Sequence, residues 1–314
     1  MSALDYNALG FKAIVVTLDG AVLIVTINRA KQYVFTLKFV LLTNHSECRR
    51  NSFGDTLPAE LIQVFETADR DDRVRVVILT AEHTAPAYST GTDVSTAMAD
   101  FSRPEGEADY RDKGGQVAIA IYRCRKFTVA AVNGHAIGVG MTGLQLPFDF
   151  RFVWEGAKLG FPFIRLGISP ASTSTFLLPR LIGHSRANSL LLTGATVSPT
   201  SPLVSSLYHE IIPKRENVLP VALAFAQDLA KHTSQISVAY TKALLQHPGE
   251  TNEQNHLLDS RAIKLLGTGE DAAEGALAFK ERRDPKFNGN LSKDSSPWYP
   301  WWRALDVKPR NAKL

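Results

Sequence analysis

The chain has 314 residues, 45% hydrophobic and 21% charged, enough apolar material to bury a sizeable core in one domain with an appended region. Its formal net charge is +4, yet Lys and Arg are scattered with no basic stripe interleaved with aromatics, so nucleic-acid binding is not expected. Cys48 and Cys124 lack metal-ligand spacing, no apolar run approaches bilayer-spanning length, and Met1 to Gly10 is polar; no metal site, disulfide framework, membrane insertion or secretory leader is therefore expected.

In chain order, Ile14 to Ile27 reads as two β-branched runs around Asp19-Gly20, a hairpin signal. The segment LPAELIQVFETADRD, from Leu57, reads as a helix, and Val74 to Leu79 as an almost wholly apolar strand. A helix around Ala118 to Arg125 precedes a short strand, Val129 to Val132. Strands alternating with helices imply βαβ units and a mostly parallel sheet, so the fold class is α/β. Gly134, Gly138 and Gly140 then permit a tight turn and close approach to a ligand before an apolar helix. Unpaired backbone N–H groups at such a helix start can stabilise an oxyanion. From Asn217 onward the pattern is helical. The expected organisation is a core over 1–216, a helical region over 217–302 and a flexible tail over 303–314.

Three local patterns then resemble the crotonase superfamily, the enoyl-CoA hydratases and isomerases: Ala87 to Asp93 (AYSTGTD), Asn133 to Thr142 (NGHAIGVGMT) and Lys158 to Gly183, with a weaker match at AFKERRDPKF. The resemblance implies a spiral of ββα units and an acyl-CoA thioester as substrate, with coenzyme A arriving as part of that substrate and no other cofactor. Backbone N–H groups of Ser89 and Val139 would form the oxyanion hole, with Thr90, Gly91, Thr92 and Asp93 around the substrate. Lys31, Arg50 and Asn51, with Lys280 or Arg283 from the C-terminal helices, would approach the coenzyme. The superfamily's catalytic glutamates fall at positions occupied here by Thr142, Phe163 and Ala171. A hydroxyl and a phenyl ring cannot position and deprotonate water, which disfavours two-glutamate hydration.

The wording PFIRLGISPASTS resembles peroxisomal isomerases that move a 3-ene into the conjugated 2-position, in which one glutamate shuttles the proton. That glutamate's place is taken by Ala171. His135 is a substitute base candidate, whereas Asp149 reads as structural. The tetrad Trp298, Tyr299, Trp301 and Trp302 reads as packing on the core or another subunit.

The resemblance also implies a homotrimer or hexamer, and a role in β-oxidation or in fungal secondary metabolism such as siderophore or host-selective toxin formation. Two rival readings stay open: a different crotonase-fold reaction needing no glutamate, and a catalytically impaired acyl-CoA-binding subunit. Ala312-Lys313-Leu314 resembles the tripeptide read by the peroxisomal import receptor, so the peroxisome is the expected location.

Tyr33 to Arg49 interrupts the strand-to-helix junction of this plan. Codons available to Gln32-Tyr33-Val34, Thr43-Asn44 and Cys48-Arg49 can spell a splice donor, a branch point and an acceptor. Removal restores Gln32 followed by Arg50 in frame, so the segment is read as a retained intron, the alternative being a surface insertion.

Overall fold

A computed structural model of the protein describes residues 4–29, 51–54, 56–92, 94–102 and 106–307. Lys31, Arg50, Asp93, the Tyr33 to Arg49 segment and the Ala312-Lys313-Leu314 tripeptide lie outside the described residues.

The hairpin forms as β1 (Ile14–Asp19) and β2 (Val22–Ile27), antiparallel, with Asp19 opposite Val22. After α1 (Leu57–Arg70) come β3 (Val76–Ala81) and the short β4 (Ala87–Ser89). The chain continues through α2 (Val94–Phe101), α3 (Lys113–Arg123), β5 (Phe127–Val132), β6 (His135–Ile137) and α4 (Val139–Thr142). Strands β7 (Phe150–Trp154) and β8 (Leu159–Gly160), helices α5 (Ser174–Ile182) and α6 (His184–Leu191), and strands β9 (Thr196–Val197) and β10 (Glu210–Ile212) complete the mixed part. Helices α7 (Val218–His232), α8 (Gln235–Gln246), α9 (Asn252–Gly267), α10 (Glu270–Glu281) and α11 (Leu291–Asp294) follow. No helix among the described residues is long and apolar enough to cross a membrane.

The larger sheet has the order β1-β2-β3-β5-β7-β10 and is parallel from β2 onward. Its central strands are apolar on both faces because both are covered. In β3, Val77 and Leu79 join the main core beneath α1 and α3, while Val76 and Ile78 face the opposite layer, where Val218, Ala222 and Ala226 of α7 pack. A smaller sheet, β4-β6-β8-β9, crosses the sequence blocks that resembled the superfamily and sets β4 parallel to β6.

Two expected boundaries move. Val74 belongs to a turn, its N–H bonded to the Asp71 carbonyl at 3.0 Å, so β3 begins at Val76 and runs on to pair Ala81 with Ile27. The apolar helix after the glycine turn closes after a single turn, since Gly143 and Pro147 disfavour its propagation.

Glu60 locks α1 to the entry of β1. Its buried carboxylate accepts the N–H groups of Lys12, Ala13 and Ile14 at 3.1, 2.8 and 3.2 Å. Glu60→Ala leaves these donors without an acceptor and is expected to lower unfolding free energy by about 3 kcal/mol, measured by urea denaturation; a loss below about 1 kcal/mol would show that β1 re-pairs without it.

Candidate functional site

Two backbone segments meet where β4 and β6 end. Gly138 adopts φ +56° and ψ −120°, a conformation that side-chain-bearing residues rarely hold, and this reversal sends the chain from β6 into α4. As the first residue of α4, Val139 presents an N–H with no acceptor among the described residues. Because α4 is one turn long, that N–H acts as a local donor with little helix dipole behind it. Gly140 brings this turn against β4: a Cβ there would lie 2.5 Å from the Ser89 carbonyl oxygen and 2.9 Å from the Ser89 Cβ.

Beside this junction is a cavity of about 710 Å³. Thr90, Gly91 and Thr92 form one side, Gly138 and Val139 another, and Phe163 and Ala171 a third. Phe53, Met98, Phe101, Leu166 and Ile168 make the remaining wall largely apolar, suited to a hydrocarbon chain.

The candidate residues divide accordingly. Val139, Thr90, Gly91, Thr92, Phe163 and Ala171 are brought together on the cavity wall, with fully buried Ser89 directly behind it. Thr142 is buried, and its hydroxyl donates to the Gly138 carbonyl at 3.2 Å, so it offers nothing to the cavity. Lys280 is exposed on α10 and is not on the wall. Arg283 is occupied by Glu274 and Glu281. Asn51, fully buried, bonds the Arg29 N–H and the Ala87 carbonyl and so braces β4.

His135 packs beside the turn, away from the cavity. It is absent from the wall, its Nδ1 accepts the Lys158 N–H at 3.0 Å, and its ring packs against Trp154 with centroids 5.8 Å apart. Burial, then the charges of Lys158 and Arg215, lower its pKa from the ordinary 6.5. Below pH 6.5 the unfolded chain therefore binds more protons at this position than the folded one, so the contribution is intact above pH 6.5 and is lost as pH falls through the folded value. His247, lowered by burial and by Arg123, adds to the same slope. Thermal unfolding across pH 7.5 to 5 is expected to show the decline, shallower in His135→Gln; parallel profiles would remove His135 from it.

The aromatic tetrad packs on the protein itself. Trp302 stacks on His247 with centroids 4.0 Å apart, Trp301 donates its indole N–H to the His247 carbonyl, and Tyr299 lies 5.0 Å from Tyr240.

Sequence reasoning missed the ionisable groups on the cavity wall: Asp100, Tyr110, Asp112 and Lys113. Lys113 pairs with Asp100 at 2.7 Å. Asp112 caps α3 through the Gly115 N–H, and the available signal was an Asp three residues before that glycine at the head of an apolar helix.

Comparison with known proteins agrees with this architecture. Residues 40–290 match the enoyl-CoA hydratase/isomerase family. An enoyl-CoA hydratase of Alternaria alternata is 36% identical over 246 residues, covering 78% of this chain and 81% of that protein. The 1,2-epoxyphenylacetyl-CoA isomerase of Escherichia coli is 30% identical over 252 residues, covering 79% and 94%. The crystal structure of a probable enoyl-CoA hydratase/isomerase from Mycobacterium abscessus superposes with a TM-score of 0.75 at 31% identity, covering 88% of this chain and 99% of that one. With the fold, the glycine junction and the matched length in agreement, this chain belongs to the enoyl-CoA hydratase/isomerase family of acyl-CoA-processing enzymes, in the crotonase superfamily.

Proposed function

We propose that the protein isomerises enoyl-CoA thioesters, moving a 3-ene into conjugation, with the thioester oxygen held by the N–H groups of Ser89 and Val139. The supporting observation is the Val139 N–H, which has no acceptor among the described residues, in a turn that Gly140 packs against Ser89 beside a largely apolar cavity. A donor aimed at developing negative charge lowers the barrier to enolate formation. The acyl chain runs along Phe163, Leu166 and Ile168, which offer hydrocarbon contact, and the superfamily position at Phe163 carries no carboxylate to activate water.

A second reading, an acyl-CoA-binding subunit with impaired catalysis, is favoured by the methyl of Ala171 on that wall and the withdrawal of Thr142 from it. Purified protein titrated with a saturated acyl-CoA and assayed with 3-enoyl-CoA and 2-enoyl-CoA separates the two. Isomerisation is expected; binding without turnover favours the second reading, and absence of binding defeats both.

The proposal extends to a homotrimer or hexamer, supported by large apolar side chains exposed along α8 to α10: Leu245, Leu257, Ile263 and Phe279 are 80%, 69%, 71% and 88% exposed in the single chain. Light scattering is expected to give three or six times the 34.5 kDa chain mass; a monomer would end this part. A peroxisomal location, and with it β-oxidation or secondary metabolism, is supported by Ala312-Lys313-Leu314 together with the family resemblance. A fluorescent fusion that stays diffuse with the tripeptide intact would overturn it.

A further inference from the structure

A carboxylate outside the superfamily's glutamate positions stands on the cavity wall. Asp112 Oδ1 accepts the N–H groups of Gly115 at 2.6 Å and Ser172 at 3.2 Å. Oδ2 accepts from none of the described residues and lies against the first turn of α3, where a Cβ on Gly115 would stand 2.4 Å from it; one oxygen is tethered and the other carries no hydrogen bond there. Asp100, the other wall carboxylate, is already paired with Lys113, and Tyr110 packs edge-on against Phe101.

Gly114 permits the arrangement. A Cβ at this position would lie 2.2 Å from Ser172 Oγ, 3.2 Å from Val139 Cγ1 and 3.3 Å from Asp112 Oδ1. The tethered Asp112 oxygen, the Ser172 hydroxyl and the Val139 side chain thus surround the space that Gly114 leaves open, which brings Asp112 and Val139 to the same part of the cavity wall. Ser172 is fully buried, its Oγ has no hydrogen-bond partner among the described residues, and it and Thr173 hold φ of +61° and +57°, conformations costly for residues other than glycine. The loop that turns back onto Asp112 is therefore strained at the two residues following Ala171.

We propose that Asp112 is the acid/base residue of this site, doing the work that the superfamily assigns to a glutamate at the position of Ala171; this rests on the thioester isomerase reading above. Oδ2 removes a proton from C2 of a 3-enoyl thioester. The C–H electron pair becomes the C1–C2 double bond, and the carbonyl π pair moves to the oxygen facing the Val139 and Ser89 N–H groups. When the carbonyl re-forms, the C1–C2 pair becomes the C2–C3 double bond and the former C3–C4 pair takes the proton from the Asp112 carboxyl at C4. The double bond has moved one place, Asp112 is again a carboxylate, and no other reactant is consumed. Ser172 is a positioning residue, its N–H fixing Oδ1.

The test uses wild type, Asp112→Asn, Asp112→Ser and the double variant Asp112→Asn with Ala171→Glu. Asparagine keeps the shape and serine keeps a capping oxygen for α3, while neither is a carboxylate. Conjugated product is followed by its ultraviolet absorbance, saturated acyl-CoA binding by calorimetry, and folding by thermal unfolding. Both single variants are expected to fold and to bind acyl-CoA near the wild-type affinity, while isomerising about 100- to 10,000-fold more slowly. The added glutamate is expected to restore at least about tenfold of that loss. Asp112→Ser turning over within about tenfold of wild type would reduce Asp112 to a helix cap and overturn the proposal. Wild type that binds acyl-CoA without isomerising would overturn it too, whereas failure of wild type to bind strikes the thioester reading itself. Wild type is also expected to carry deuterium from C2 of labelled substrate to C4 of product, a result independent of how the variants fold; complete loss of the label to solvent counts against a single shuttling carboxylate.

Discussion

Gly140→Ala is expected to lower isomerase turnover about 100- to 1,000-fold without altering any ionisable group. The added Cβ would stand 2.5 Å from the Ser89 carbonyl oxygen, 2.9 Å from its Cβ and 3.1 Å from its carbonyl carbon. These neighbours are backbone or adjoin it, so no flexible side chain can swing away. On one side Ser89 is held in β4 by pairing with Ala136 of β6. On the other, the Gly140 carbonyl accepts the Gln145 side-chain amide at 3.1 Å, and the following turn is closed by Gly143 and Leu144 N–H bonds to the Val139 carbonyl. The strain must therefore separate the Val139 N–H from Ser89, and a misplacement on the order of 1 Å is enough to cost about 100-fold. Overpacking this junction should also cost about 1–3 kcal/mol of stability, so turnover is compared at a temperature where both proteins are folded. Val139→Ala is the contrast: it changes the side chain and leaves the N–H in place, so its turnover should stay far closer to wild type. Equal losses in the two variants, or full activity in Gly140→Ala, would remove the glycine junction from catalysis.

The elements that were legible in the sequence owe this to local physics. The β1–β2 hairpin follows from β-branched runs meeting at Asp19-Gly20, and β3 and β5 from apolar stretches that both layers cover. The glycine junction could be read because a reversal and a close approach both exclude side chains, and the spacing of Gly134, Gly138 and Gly140 records where. For His135 the sequence left the choice between base and packed ring open, because adjacency to that turn says nothing of which neighbour its ring meets; the Lys158 N–H that occupies Nδ1 comes from 23 residues away. The helix cap at Asp112 had a local signal, but its place on the cavity wall was not legible, for a related reason. Its tie to Ser172 spans 60 residues and exists only once the loop after Ala171 folds back onto the start of α3. Local patterns thus located the glycine junction, whereas the placing of carboxylates on the cavity wall depends on long-range return of the chain.

Asp149→Ala is expected to cost about 3–5 kcal/mol, because it strands a buried cation. Asp149 Oδ2 accepts the Thr128 N–H at 2.8 Å, the Thr128 hydroxyl at 2.9 Å and Lys242 Nζ at 2.7 Å. Lys242, on α8 and only 9% exposed, also donates to the Lys126 carbonyl at 3.1 Å, so this cluster ties the helical region to β5 and β7. A second amine is nearby: Lys126 is fully buried, bonds Gln235 at 3.3 Å, and has its pKa lowered by burial. Without the carboxylate, Lys242 has no anion, and Thr128 loses an acceptor for two donors. Lys242→Met should cost less, since Asp149 keeps both Thr128 bonds. The decisive variant is the double one. With neither charge present the stranded cation disappears, so the Asp149→Ala, Lys242→Met protein should be more stable than Asp149→Ala alone, a non-additivity that a double-mutant cycle in urea reads directly. Additive losses, or an Asp149→Ala cost below about 1 kcal/mol, would mean that water or a rearranged α8 satisfies Lys242 and that the pair does not fasten the helical region to the sheet.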